Sequence, residues 1–363
     1  MDATDSDIAT TTAADFPAVV DRMEGRVQIL INEVQGLRNE LAGLRAVVRA
    51  SNQPRPPMPL KHWIRHQIKI HLGLLGQIGK LEYGVPPKPI YVPRWYRRKP
   101  AITNPPLISI ATPSFNQGEF LEQTICSVLD QEYPRLEYVV QDGGSTDSSR
   151  EVLQRYRERL HRCESRKDNG QSQAINLGFA GTTGEIMAYL NSDDLLLPGS
   201  LHAVAQYFQK HPDVDVVYGH RVVIDKAGLE LGRWVLPKHD NEVLKWADYV
   251  PQETMFWRRR IWDKVGGIDE SFRFAMDWDL ILRFQDAGAK IVRLPRFLGA
   301  FRVHQSSKTV STVTSTGVQE MERLRRRVHG REVSHLEIAV AVRRYLAWHV
   351  FCNRMYRLGL FWY

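Results

Sequence analysis

Long apolar runs are missing from this chain. Nothing approaches 18 consecutive hydrophobic residues, so no segment reads as a transmembrane helix. Cysteine is scarce: Cys126, Cys163 and Cys352 are odd in number, far apart and unlike any metal-ligand spacing. That excludes a disulfide framework and a zinc module, and it fits a reducing compartment. The opening residues, MDATDSDIATTTAADF, are acidic and polar where a secretory signal needs a basic and then an apolar stretch. Neither a GxGxxG turn nor a Walker-type lysine motif occurs, which argues against dinucleotide and P-loop phosphate sites. With no zinc-finger spacing and no basic-aromatic strand pair of the RNA-recognition type, nucleic acid is not an expected partner.

What is present is a chain of 363 residues, 43% hydrophobic and 25% charged, enough for one large domain or two ordinary ones. Its net charge of +8 is unevenly spread: Leu60 to Lys99 holds nine Lys or Arg against one Glu, and the last forty residues are Arg-rich. Such blocks suggest anionic partners, a membrane surface among them. After an acidic tail expected to be disordered (1–18), Val20, Met23, Val27, Leu30, Val34, Leu37, Leu41, Leu44 and Val48 alternate at spacings of three and four. This heptad seam predicts a coiled coil over 19–50, with Glu33 and Glu40 at g opposite Arg38 and Arg45 at e, and hence a homo-oligomer through residues 19–48. Gly25, Gly36 and Gly43 weaken it. Residues 51–106 read as Pro-rich linkers around a basic amphipathic helix at 60–80. There Leu60, Trp63, Ile64, Ile68, Leu72, Leu75 and Ile78 share one face, and Lys61, Arg65, Lys69 and Lys80 the other.

From Leu107 the pattern becomes alternating strand and helix, as in a mostly parallel sheet. Strands are expected at 107–111, 136–141, 185–190, 214–218 and 297–303. Helices are expected at 118–130, 147–159, 172–180, 201–210 and 276–285, and strand segments 221–224 and 231–235 suggest an antiparallel part. Three strand ends carry unusual loops, TPSFNQG, DGGSTD and NSDD. Ligands bind beyond the carboxyl ends of strands in open α/β sheets, and adjacent carboxylates such as Asp193 and Asp194 are costly to bury without a cation. A solvated strand end leading into a helix is the alternative reading of that pair. Residues 310–363 read as a basic, amphipathic helical region, with Arg343, Arg344, Arg354 and Arg357 along one side of the final segment.

ISIATPSFNQGEFLEQTICSVLDQEYPRLEYVVQDGGSTDSS, KDNGQSQAINLGFAGTTGEIMAYLNSDD, FAMDWDLILRF and FRVHQSSKT resemble, in order, the motifs of the inverting family-2 glycosyltransferases. The resemblance runs over 107–309 and implies a GT-A fold: a Rossmann-like, mostly parallel sheet with a smaller antiparallel acceptor-side part. Here it would be preceded by the coiled-coil helix and followed by the C-terminal amphipathic helices. It implies an enzyme that moves a sugar from a nucleotide-sugar donor, a UDP-sugar above others, to a hydroxyl of a glycan or lipid-linked acceptor in surface polysaccharide biosynthesis. A divalent metal, Mn²⁺ or Mg²⁺, would stabilise the departing diphosphate.

Residue by residue, the resemblance implies that Thr112, Pro113 and Asn116 lie by the base and ribose. Asp142 would accept from the uracil ring N–H, and Asp168 would make another nucleotide contact, although Arg166 stands where the family usually has Glu. Asp193 would meet the ribose or the metal's surroundings, and Asp194 the metal. His304 would reach back to the metal or diphosphate, and Gln252 would face the acceptor. Asp277 matches the catalytic base, with Met276 where the family commonly has Glu, and Asp279 is expected to be structural. A peripheral site on the inner face of the plasma membrane follows as the expected location. A nucleotidyltransferase is the alternative enzyme, but TPSFNQGEF lacks the basic residue such an enzyme needs near its Gly-rich loop. The other alternative, a non-catalytic nucleotide-binding scaffold assembled by its coiled coil, would have no need for Asp142, Asp194 and Asp277 together.

Overall fold

The computed structural model describes residues 87–99, 102–304 and 316–361, all of which belong to one unit, Lys69–Tyr363. The expected acidic tail, the coiled coil at 19–50 and the basic helix at 60–80 lie outside the described residues. Strand β1 (Ile108–Ser114) leads into helix α1 (Gly118–Leu129), β2 (Leu136–Asp142) into α2 (Ser149–Tyr156), and β3 (Arg162–Ser165) into α3 (Gln171–Phe179). Then come β4 (Ile186–Tyr189), β5 (Leu195–Leu196), α4 (Ser200–Lys210), β6 (Val216–Ile224), β7 (Glu230–Trp234) and α5 (Asn241–Leu244). The chain continues through β8 (Phe256–Arg258), α6 (Arg259–Val265), α7 (Met276–Asp286), β9 (Ile291–Arg302), α8 (Val318–His329) and α9 (His335–Arg357).

The strands form one mixed sheet in the order β3-β2-β1-β4-β8-β6-β9-β5, with β7 paired to β6. β3, β2, β1 and β4 run parallel. β8 is antiparallel to both β4 and β6, and β7 is antiparallel to β6, which is the expected antiparallel part. Side-chain alternation explains why the parallel half is buried on both faces. Along β4, Ile186, Ala188 and Leu190 join Leu121, Ile125 and Val128 of α1 in one core. Met187 and Tyr189 join Ile175 and Phe179 of α3 in the other. Two sequence expectations change. The segments 214–218 and 221–224 are one continuous strand, β6, whose parallel pairing with the twelve-residue β9 carries it through Gly219 and His220. The short strands β3, β5 and β8 were not anticipated.

Near the end of the expected linker segment 51–106, a tyrosine is packed into the core. Tyr96, in a single 3₁₀ turn (Arg94–Arg97), is fully buried, and its hydroxyl accepts from Phe297 N at 3.0 Å. Tyr96 shares a small core with Val222, Phe297 and Cys352 of α9, so segments from both ends of the described chain close over β6 and β9.

Helix α8 braces the helix that carries Asp277. Glu320 sends its carboxylate to the residues just before α7, accepting from Arg273 N (2.7 Å), Phe274 N (2.8 Å) and Ala275 N (2.9 Å). Asp279, fully buried, accepts from Arg283 on its own helix (2.7 Å) and Arg327 on α8 (2.5 Å), the structural role expected for it. Glu320→Ala would strand three backbone donors, so we expect a stability loss of about 3 kcal/mol in denaturant titration. The change loosens the start of α7 and leaves the strand-end loops alone.

Candidate active site

The carboxyl ends of three adjacent strands, β2, β1 and β4, open into a cleft of about 680 Å³, within the size range of small-ligand sites. Its walls include Pro113 near the end of β1, Gly143 after β2, Asp168 before α3 and Asn191 to Asp194 after β4. Asp248, Gln252, Glu253 and Asp277 line the far side.

The first two loops are tied to each other. Asn116, with φ of 51°, receives Thr146 N on its side-chain oxygen (2.9 Å) and donates its own N–H to Ser145 Oγ (2.7 Å). Asp142 is fully buried and organises the same turn: it accepts from Ser145 N (2.9 Å), Gly144 N (3.2 Å), Ser165 Oγ (2.6 Å) and the Ser145 hydroxyl. Its carboxylate thus lies under the loop, outside the set of cleft-lining side chains. Thr112 is likewise buried, its hydroxyl paired with Tyr138 at 3.1 Å. Pro113 and Asp168 do face the cleft, and Asp168 accepts from Gly170 N at 2.8 Å.

The strand end at Asp193 and Asp194 is held from several sides. Thr124 of α1 donates to both the Ser192 and Asp194 carbonyls at 2.8 Å. Arg302, buried at the end of β9, gives its backbone N–H to Asp194 Oδ1 (3.0 Å) and its Nε to the Asp193 carbonyl (2.8 Å). Asn191 donates to Asp194 Oδ2 (3.3 Å) and to Gln252 Oε1 (3.1 Å), and accepts from Gln171 (2.6 Å). The Asp194 carboxyl is pushed well above the usual carboxylate range, by burial first and then by Asp193 and Glu253.

His304 lies beside Asp193: its Nε2 is 2.9 Å from Asp193 Oδ2, and its ring packs on Phe120. Gln252 lines the cleft, yet both ends of its amide are engaged inward, with Asn191 and the Tyr189 carbonyl (2.7 Å). Among the described residues, no three His, Cys, Asp or Glu side chains are grouped so that they could hold a metal ion. Asp193, Asp194 and His304 are donors of the kinds a hard cation accepts, and substrate phosphate and water would have to supply the rest of its shell. Added positive charge there would relieve the raised Asp194.

On the far wall, Asp277 sits in the first turn of α7, partly exposed, with Oδ1 accepting its neighbour's N–H (Trp278, 2.9 Å). Burial in the cleft raises its pKa, against the opposing pull of backbone N–H groups and Arg221. Asp248 is also raised, by burial and then by Asp277 itself. Arg221 on β6 is the residue that sequence reasoning missed. It pairs with the buried Glu253 (Nε to Oε1, 2.7 Å; Nη2 to Oε2, 2.5 Å) between the rings of Trp234 and Phe301, at 5.1 and 4.5 Å. Its charge opposes the rise at Asp194, Asp248 and Asp277 alike. A lone Arg inside VVYGHRVVI was the available signal, since a charge in a buried strand demands a partner.

An open α/β sheet thus sets acidic strand ends opposite a second carboxylate wall. The family model described as "Glycosyl transferase family 2" matches residues 109–266. An uncharacterized glycosyltransferase of Nostoc sp. is 30% identical over 226 residues, 59% of this chain and 70% of that protein. The O-antigen biosynthesis protein RfbC of Myxococcus xanthus is 28% identical over 333 residues, 84% of this chain but only 26% of its own length. In fold, the chain is similar to S. aureus TarS 1–349 in complex with UDP-GlcNAc, with a TM-score of 0.51 at 17% identity, covering 66% of this chain and 71% of that one. The chain belongs to glycosyltransferase family 2 and has the GT-A fold.

Removing the Arg221 charge alone leaves Glu253 buried and unpaired. Arg221→Met should therefore cost about 3–5 kcal/mol in chemical denaturation. Arg221→Met/Glu253→Leu should regain most of that stability and none of the activity, because the cleft carboxylates have still lost their shared cation.

Proposed function

We propose that the chain transfers a sugar from a nucleoside-diphosphate donor to an acceptor hydroxyl by single displacement, with inversion, and that Asp277 is the base. In this reaction the acceptor oxygen forms a bond to the anomeric carbon as the bond from that carbon to the diphosphate oxygen breaks. The electron pair leaves with the nucleoside diphosphate, and the acceptor proton passes to the Asp277 carboxylate. The observation that carries the reading is the opposition of two walls: Asp277 on α7 faces the same cleft as Asp193 and Asp194 at the end of β4. Inversion needs a base on the face opposite the leaving group, as in inverting glycoside hydrolysis.

Each chain residue has a physical task. Asp277, raised by burial, is a stronger base than a solvated carboxylate. Pro113, Asn116 and Asp168 bound the region for the base and ribose, and Asp142 keeps that loop in shape. Asp193, Asp194 and His304 would hold Mn²⁺ or Mg²⁺. When bound, such an ion supplies positive charge that stabilises the departing diphosphate. UDP-GlcNAc in the S. aureus TarS complex supports a UDP-sugar as donor. Relatives named for O-antigen, chondroitin and teichuronic acid synthesis support a polysaccharide or lipid-linked acceptor.

Asp277→Asn keeps size and polarity but cannot take the proton. Its kcat should fall ~10²–10⁴-fold while calorimetry finds donor affinity unchanged. Lost donor binding would instead make Asp277 a donor-site residue. Because the base works only when ionised, kcat should drop as pH falls through the Asp277 pKa. With that pKa raised, the acid limb lies above the ordinary carboxylate range near ~4. Asp194→Ala should abolish transfer while the protein stays folded by circular dichroism, with some loss of Tm because Arg302 N and the Asn191 amide lose their acceptor. Full turnover by that variant, or by wild type in excess chelator, would contradict the metal role.

A further inference from the structure

Helix α9 has two unlike faces. Val342, Tyr345, Leu346 and Cys352 are buried against the catalytic unit, where Tyr345 packs on Tyr249 with ring centroids 4.4 Å apart. Tyr356 extends that contact by accepting from Arg233 at 2.7 Å. At about 100° per residue, the opposite side of the helix carries Val340, Phe351 and Leu358 along its centre, with Trp348 at one edge. Leu336, Val340, Trp348, Phe351, Leu358 and Leu360 are all exposed, Leu358 by 68%, and the Trp348 and Phe351 rings stack at 4.8 Å. Arg343, Arg344, Arg354 and Arg357 are exposed on or beside this arc. From Ile338 to Phe361 the chain has no acidic residue at all.

We propose that this outer face of α9 is a docking surface for an anionic lipid bilayer, on which the helix lies in the plane of the headgroups. No helix among the described residues is long and apolar enough to cross a membrane. A helix of 23 residues spans about 35 Å, enough to lie flat while its aromatic edge enters the acyl boundary and its arginines reach phosphates. Charge argues against the other occupants. A second copy docked face to face would bring arginines against arginines, and the one acid of the helix, Glu337, is already paired with Arg331 at 2.6 Å. The chain's own segment 60–80 is basic too. Its acidic segment 1–16 could answer the charge but has little apolar surface to cover the arc.

The test uses the full chain with phosphatidylcholine vesicles, with and without phosphatidylglycerol. Wild type should sediment with the anionic vesicles at low salt, leave them at high salt, and ignore the neutral ones. Trp348→Ser/Phe351→Ser, both exposed positions away from the cleft, should weaken vesicle binding about tenfold or more while donor hydrolysis is unchanged. Equal binding by the double variant, or no binding by wild type at low salt, would overturn the proposal. So would a wild-type dimer in light scattering that the double variant reduces to monomer, since the face would then be a contact between copies.

Discussion

The site depends on how a folded chain tolerates several carboxylates in one low-dielectric cleft. Asp193, Asp194, Asp248, Glu253 and Asp277 all line it, and an isolated ionised carboxylate in such surroundings reverts to its neutral form. The Arg221–Glu253 pair supplies the internal compromise. Glu253 fixes the guanidinium bidentately, two aromatic rings enclose it, and its field acts on carboxyls from β4, α7 and the loop after α5. The compensation is incomplete, because burial still raises Asp194, Asp248 and Asp277. That incompleteness is useful in two places. It leaves Asp277 more basic than a surface carboxylate, and a cation held at the proposed Asp193–Asp194 rim would relieve the raised Asp194.

The rest of the fold serves to hold those groups apart. The parallel half of the sheet sets the strand-end loops, which are stitched together by Asn116, Asp142 and Thr124. The α7 wall of the cleft depends on a helix from late in the chain, since Glu320 and Arg327 of α8 secure the start of α7. The site therefore needs residues beyond the 109–266 span of the family model. Asp277 and its brace both lie past that boundary.

Much of this was legible in the sequence because the relevant signals are local. β1, β2 and β4 are apolar runs ending in Asn, Asp and Gly, so both the strands and their loops could be read. The row of Arg343, Arg344, Arg354 and Arg357 beside apolar residues likewise marked α9. Strands β3, β5 and β8 have four, two and three residues, too few for a period to register. The insertion of β8 between β4 and β6 is a tertiary choice with no local mark. The pairings that tune the site are equally remote in sequence: His304 meets Asp193 across 111 positions, and Glu253 meets Arg221 across 32. Family resemblance pointed to His304 as a ligand, but only coordinates could say which aspartate it faces. Asp142 shows the opposite case, a residue singled out in the sequence whose carboxylate is occupied in shaping its own turn.

The central claim is a single displacement in which the incoming oxygen and the diphosphate occupy opposite faces of the sugar. Slow hydrolysis of an α-linked nucleotide sugar, followed by proton NMR before the free sugar mutarotates, tests it without knowledge of the acceptor. The account predicts that the first-formed sugar is the β anomer, and that Asp277→Asn suppresses its appearance. First release of the α anomer, with the donor's configuration retained, would contradict it.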